Sequence, residues 1–161
     1  MITLFEKYKN KPNINLDSKF WKMVEFANWN QLIKKWKLYP VSDEQSDYFK
    51  KLQYKLYKKY NYAEIQLFFS IYDDIYYELY DYFEHLIEEM NIDYEDYSDI
   101  ISSIIGNGLT FTLNCLSDDK IIIDMIKNED YASNFGYLLQ INYDEYDDVL
   151  NEYPKFGFNM N

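Results

Sequence analysis

Arginine is absent from the chain; all sixteen basic residues are lysines. Bidentate guanidinium clamps on phosphate or carboxylate are therefore ruled out. A lone cysteine, Cys115, allows no internal disulfide, and a lone histidine, His85, excludes a multi-histidine metal site. With 4 Gly and 3 Pro there is little punctuation for a domain boundary, and no Gly/Ser linker interrupts the 161 residues. No eighteen apolar residues run together, so no transmembrane helix is expected. Residues 1–15 lack the apolar centre of a secretory signal. With one unpaired cysteine, these absences lead to the expectation of a cytoplasmic protein. Lysine in place of arginine, with abundant Asn, Ile and Tyr, looks like the usage of an AT-rich bacterial or phage genome.

Acids and aromatic rings are plentiful. Asp and Glu number 28, which sets the net charge at −12, and 19 tyrosines stand in a chain that is 48% apolar. That composition is far from the aromatic-poor signature of disordered acidic segments, so the acidity belongs to a folded surface. At this length about 70% of the unfolded surface can be buried in one core. The charge is divided unevenly: thirteen lysines meet six acids ahead of residue 61, a net +7, whereas three lysines meet twenty-two acids from there on, a net −19. One domain over 1–161 with a polar gradient is expected, its ends at 1–16 and 153–161 loose.

The apolar period is helical in most places. Phe20, Trp21 and Val24, then Trp29, Leu32, Ile33 and Trp36, predict one helix or two short ones, capped at Asp17 or Ser18 and stopped by Pro40. Ser42 with Gln45 forms a capping-box pattern for a helix over about 43–60, with Phe49, Leu52, Leu56 and Tyr60 inward. From about 63 to 90 the row Ile71, Ile75, Leu79, Tyr82, Leu86 and Met90 is the most regular in the chain. Asp93 with Asp96 can cap a helix carrying Tyr97, Ile100, Ile101, Ile104 and Ile105, ended by Gly106 or Gly108. Leu109, Phe111, Leu113 and Cys115 alternate with polar residues, which reads as a short strand at 109–115, a short helix being the other reading. Ser117 opens a helix around Ile121–Ile126, and a last one is expected over about 131–152. The fold class is all-α, an irregular bundle of about six helices.

Few residues suit catalysis. His85 lies in a helical row with Asp74, Glu78, Asp81 and Glu88, but no further nitrogen or sulfur ligand accompanies it, so a solvated ion-pair face is expected in place of a metal site. The run from Asp93 to Asp99 fails as a calcium loop, because Ser98 and Ile104 stand where such a loop needs Gly and Glu. Gly106-Asn107-Gly108 is too short for a phosphate cradle. Cys115 has no base near it in sequence and reads as a small buried hydrophobe. Lys34, Lys35 and Lys37, then Lys50, Lys51, Lys55, Lys58 and Lys59, alternate with Trp36, Tyr54 and Tyr57 in the manner of single-strand binders. The net field of the molecule opposes a polyanion, so nucleic acid is not the expected partner. No cofactor and no metal is expected.

The order of elements resembles the bacterial domain-of-unknown-function family 4240. Phe20-Trp21 is similar to that family's opening. Tyr94-Glu95-Asp96-Tyr97 with Ile100, Ile104, Ile105 and Gly108 looks like its central motif, and Leu116-Ser117-Asp118 like the step after it. The family's Arg and Trp fall on Ile101 and Ser103 here. The similarity covers most of residues 18–150; it implies a small helical bacterial domain and supplies no activity.

The functional expectation is a non-enzymatic acidic module that blocks a basic protein surface, as an immunity protein blocks a toxin or a phage inhibitor a defence nuclease. Its partner-binding face is expected at Asp74, Tyr77, Glu78, Asp81, His85, Glu88, Asp93, Glu95, Asp96 and Asp99, where acids beside tyrosines suit a basic partner. The alternatives are a ligand-binding or enzymatic domain with a Tyr/carboxylate pocket, and a homo-oligomer joined through its own basic and acidic parts.

Overall fold

Every regular element among the described residues is helical. The computed structural model describes residues 12–29, 43–132 and 135–152, side chains at 43–47 apart. Seven α-helices follow in order: α1 (Ser18–Ala27), α2 (Asp43–Lys59), α3 (Tyr62–Glu89), α4 (Tyr94–Gly106), α5 (Leu109–Ser117), α6 (Asp119–Lys127) and α7 (Tyr143–Glu152), with a 3₁₀ turn at Phe135–Leu138 before the last. The all-α class is as expected.

Caps explain several boundaries. Asp17 accepts the Phe20 amide at 2.8 Å and starts α1, and Asn28, in the left-handed region at φ 54°, ends it. At the start of α3, Asn61 Oδ1 accepts the Glu64 amide at 2.9 Å while Glu64 Oε1 accepts the Asn61 amide at 3.2 Å. This reciprocal pair satisfies two of the donors a helix start leaves open. Glu64 also meets Lys19 of α1 at 2.6 Å, which raises the Lys19 pKa and holds the carboxyl below its usual range. Asp93 occupies the cap position of α4, but its side chain makes no capping bond. The capping box expected at Ser42 and the apolar positions Leu32, Ile33 and Trp36 lie outside the described residues.

Helix α4 is the centre of the bundle. From Ile100 to Gly106 every residue is buried, the pattern of a helix covered on all sides. It packs on α3, α5, α1 and the 3₁₀ turn, while α2 packs on α7 and α1. On α3 the buried row is Ile65, Phe68, Ile71, Tyr72, Ile75, Leu79, Phe83 and Ile87. Tyr82, Leu86 and Met90, expected inside, are half-buried flanks of that row.

Residues 109–115 form helix α5 and no strand. Its buried positions, Thr112, Cys115 and Leu116, follow the 3.6 period, and Leu113 is 41% exposed. No partner strand exists among the described residues to take the ladder bonds, and a helix satisfies them locally. The polar residue that mimicked alternation is used inside: Thr112 Oγ1 donates to the carbonyls of Ile104 at 3.2 Å and Gly108 at 2.8 Å.

Between α4 and α5 the chain bends by 120°. Gly108, at φ +100°, takes the turn, acting as the N-cap of α5 and not as a left-handed end of α4. Gly106 has a different role, since a Cβ there would stand 2.5 Å from Trp29 Cδ1. The single last helix expected over 131–152 is interrupted. Ser103 Oγ donates to the Ala132 carbonyl at 3.1 Å and accepts its amide at 3.0 Å, and Ser102 Oγ accepts the Phe135 amide at 2.6 Å. The segment is thus tied to α4 before α7 begins.

Candidate functional site

Tyrosines at four-residue spacing build a seam between α3 and α4. Ring centroids of Tyr72 and Tyr76 are 5.9 Å apart, as are those of Tyr76 and Tyr80. Across from them, Tyr72 Oη donates to Ser102 Oγ at 3.0 Å, Tyr76 Oη donates to Ser98 Oγ at 2.9 Å, and the Tyr80 ring meets that of Tyr94 at 6.3 Å. Each turn forward along α3 is matched by one turn back along α4, so the helices run antiparallel in register. Tyr97 closes the outer end: its ring stacks on Tyr80 at 4.1 Å and its hydroxyl donates to the Tyr80 carbonyl. The seam passes from dry to wet, from buried Tyr72 to Tyr94 at 75% exposure.

Carboxylates rim this seam. Burial raises the Tyr97 and Tyr80 phenols, Tyr80 to about 12, and Glu84 pushes both in the same direction. Asp81 adds to Tyr97, and Asp99 to the raised Tyr76. Asp99 is half-buried, and its own carboxyl is raised to about 6, first by loss of water and then by Asp96 and Glu95.

The expected row sits beside this rim. Asp74, Glu78, Asp81, His85 and Glu88 are all exposed on α3. At about 100° per residue, Asp73, Tyr77 and Glu84 lie between the row and the seam, so tyrosines and acids form one continuous face. Tyr77 is 58% exposed, with its ring 5.4 Å from Tyr76. Asp93 and Glu95 are exposed at the start of α4, and Asp96 and Asp99 half-exposed. None of these carboxylates meets a lysine or His85 at ion-pair distance among the described residues. Sequence reasoning missed Asp73 and Glu84 as members of the face; the spacing of Tyr76, Tyr80 and Glu84, four residues each, was the available signal.

Other candidates are placed as follows. Cys115 is fully buried and its thiol is pushed up to about 12, which leaves no thiolate for nucleophilic work. No three metal-ligating side chains converge among the described residues, and no single helix there is long and apolar enough to cross a membrane. A separate cleft of about 520 Å³ lies where Trp21, Glu25 and Asn28 face Asn107 and Thr110. Asn107 Oδ1 is buried there without a hydrogen-bond partner.

What fold and site define together is an all-α domain presenting an acidic face, edged with tyrosine, that no cation among the described residues neutralises. Comparison with protein-family models, curated proteins and solved structures finds no match.

Proposed function

We propose that this protein is an acidic docking module that covers a basic protein surface, in the manner of an immunity protein or a phage inhibitor of a nuclease. The observation that carries the reading is the continuity of the α3 row, Tyr77 and the tyrosine seam, with none of its carboxylates neutralised by a described cation. Tyrosine offers contact area with few rotors, and a field of one sign steers a basic partner toward it. No catalytic residue is assigned. The resemblance to family 4240 is proposed to reflect a common helical domain and adds no activity.

The test compares capture from bacterial lysate by the natural chain and by Asp74→Asn/Glu78→Gln/Asp81→Asn/Glu88→Gln, across a salt series. A basic protein held by the first, lost by the second and released by salt is the expected result. Identical capture by both chains would sink the reading.

A second reading, a small-ligand domain, has the Asn107 cleft in its favour. That cleft is lined by Trp21, Glu25 and Thr110 and not by the tyrosines of the middle helices. Native mass spectrometry showing a stoichiometric small molecule would shift the weight to it.

A further inference from the structure

The basic part of the molecule carries a cleft of its own. Lys51, Lys55, Lys58 and Lys59 fall on one face of α2 at the helical period and, with Tyr54 and with Phe26 from α1, line a space of about 290 Å³. Phe26 is its anchor: Lys59 Nζ stands 4.1 Å and Lys55 Nζ 4.5 Å from the ring centroid, and Lys55 Nζ also donates to the Phe26 carbonyl at 3.0 Å. Lys58 Nζ lies 5.8 Å from the centre of the Tyr54 ring. Contacts of this kind hold ammonium groups in place without neutralising them. Lys55, Lys58 and Lys59 meet no carboxylate at ion-pair distance among the described residues.

A helix end accounts for part of this. Lys58 and Lys59 occupy the last turn of α2, where cations offset the helix dipole. Lys55 lies further back, one turn from Lys59, and like charges at that spacing weaken a helix. Two ammonium groups drawn to a single ring add further repulsion, which an anion between them would relieve.

We propose that this cleft binds a small anion with several phosphate charges, that is, a triphosphate chain, free or as part of a nucleotide. Lysine is the only side chain in the sequence that is positively charged throughout the neutral range, and it binds phosphate as a point charge. The volume is at the lower end for small-ligand sites. Size also excludes a long strand, because a compact anion feels the lysine cluster within a Debye length of about 8 Å. A nucleic acid would run on into the acidic half.

Isothermal titration of the full chain with inorganic triphosphate at low ionic strength is expected to show one site that weakens with salt. Lys55→Gln/Lys59→Gln should weaken it by about tenfold or more with an unchanged circular dichroism spectrum. Lys58→Gln alone, with no backbone contact to lose, should also weaken it and serves where the double variant fails to fold. The control Lys120→Gln/Lys127→Gln should bind as the natural chain does. Equal affinity for adenosine triphosphate assigns the phosphate chain alone, and tighter binding of it assigns a nucleotide source. Three results overturn the proposal: no binding by the natural chain, equal loss in the control pair, or an oligonucleotide that outcompetes triphosphate.

Discussion

Tyr72 and Ser102 join hydroxyls at 3.0 Å in the middle of the bundle, and the serine oxygen accepts the Phe135 amide as well. One side chain on α4 thereby ties α3 to the 3₁₀ turn. Ser103, one residue on, ties α4 to Ala132 instead, bonding both the amide and the carbonyl of that residue. Both serines are fully buried.

Ser103→Ala should destabilise the fold by about 1–3 kcal/mol, because it leaves a buried amide and a buried carbonyl of Ala132 without partners. Ser102→Ala should fall in the same range. Equilibrium urea denaturation measures both, and a loss under about 0.5 kcal/mol, the range of ordinary surface changes, would contradict the role given to these hydroxyls.

Gly106→Ala places a methyl group 2.5 Å from Trp29 Cδ1. Helix propensity favours alanine by about 1 kcal/mol, yet overpacking of a rigid indole costs about 1–3 kcal/mol. A net destabilisation is expected, relieved in the double variant with Trp29→Leu. A double-mutant cycle read by thermal unfolding should show favourable coupling between the two changes.

Both features explain what the sequence could and could not show. The α3 row and the α1 cap at Asp17 were legible because spacing and caps are local. The nature of 109–115 is not, since Thr112 reads as an outward strand residue by alternation while its hydroxyl bonds back to Ile104 and Gly108. The break in the final helix depends on Ser102 and Ser103, about thirty residues away in sequence, which no periodicity reports. In the acidic face the row was readable from one helix. Its junction with Tyr80, Tyr94 and Tyr97 required the pairing of two.

Asp99 makes stability depend on pH. Its folded pKa of about 6 lies above the ordinary 3.8, so the folded chain favours the protonated acid. The contribution is complete below about pH 4 and is lost as pH rises through about 6. Asp99→Asn should therefore raise the denaturation midpoint at pH 7–8 and leave it unchanged near pH 3. An equal effect at both pH values would show that charge is not the cause.

Charge on the α3 row should matter little to folding. The variant neutralised at Asp74, Glu78, Asp81 and Glu88 is expected within about 0.5 kcal/mol of the natural chain per position, or slightly more stable, since exposed carboxylates without partners only repel. Guanidinium denaturation checks this, and a cooperative loss of structure would place those acids in the scaffold.

The bare start of α4 has a consequence for how a partner would be felt. With no side-chain cap at Asp93, the first amides of that helix rely on water and should exchange hydrogen quickly, while Ile100 to Gly106 exchange only on global opening. Because that fraying turn carries Glu95 and Asp96, a partner seated on the acidic face would tighten the helix it touches. Deuterium uptake at 94–96 then becomes a local reporter of occupancy, readable before the partner has been identified.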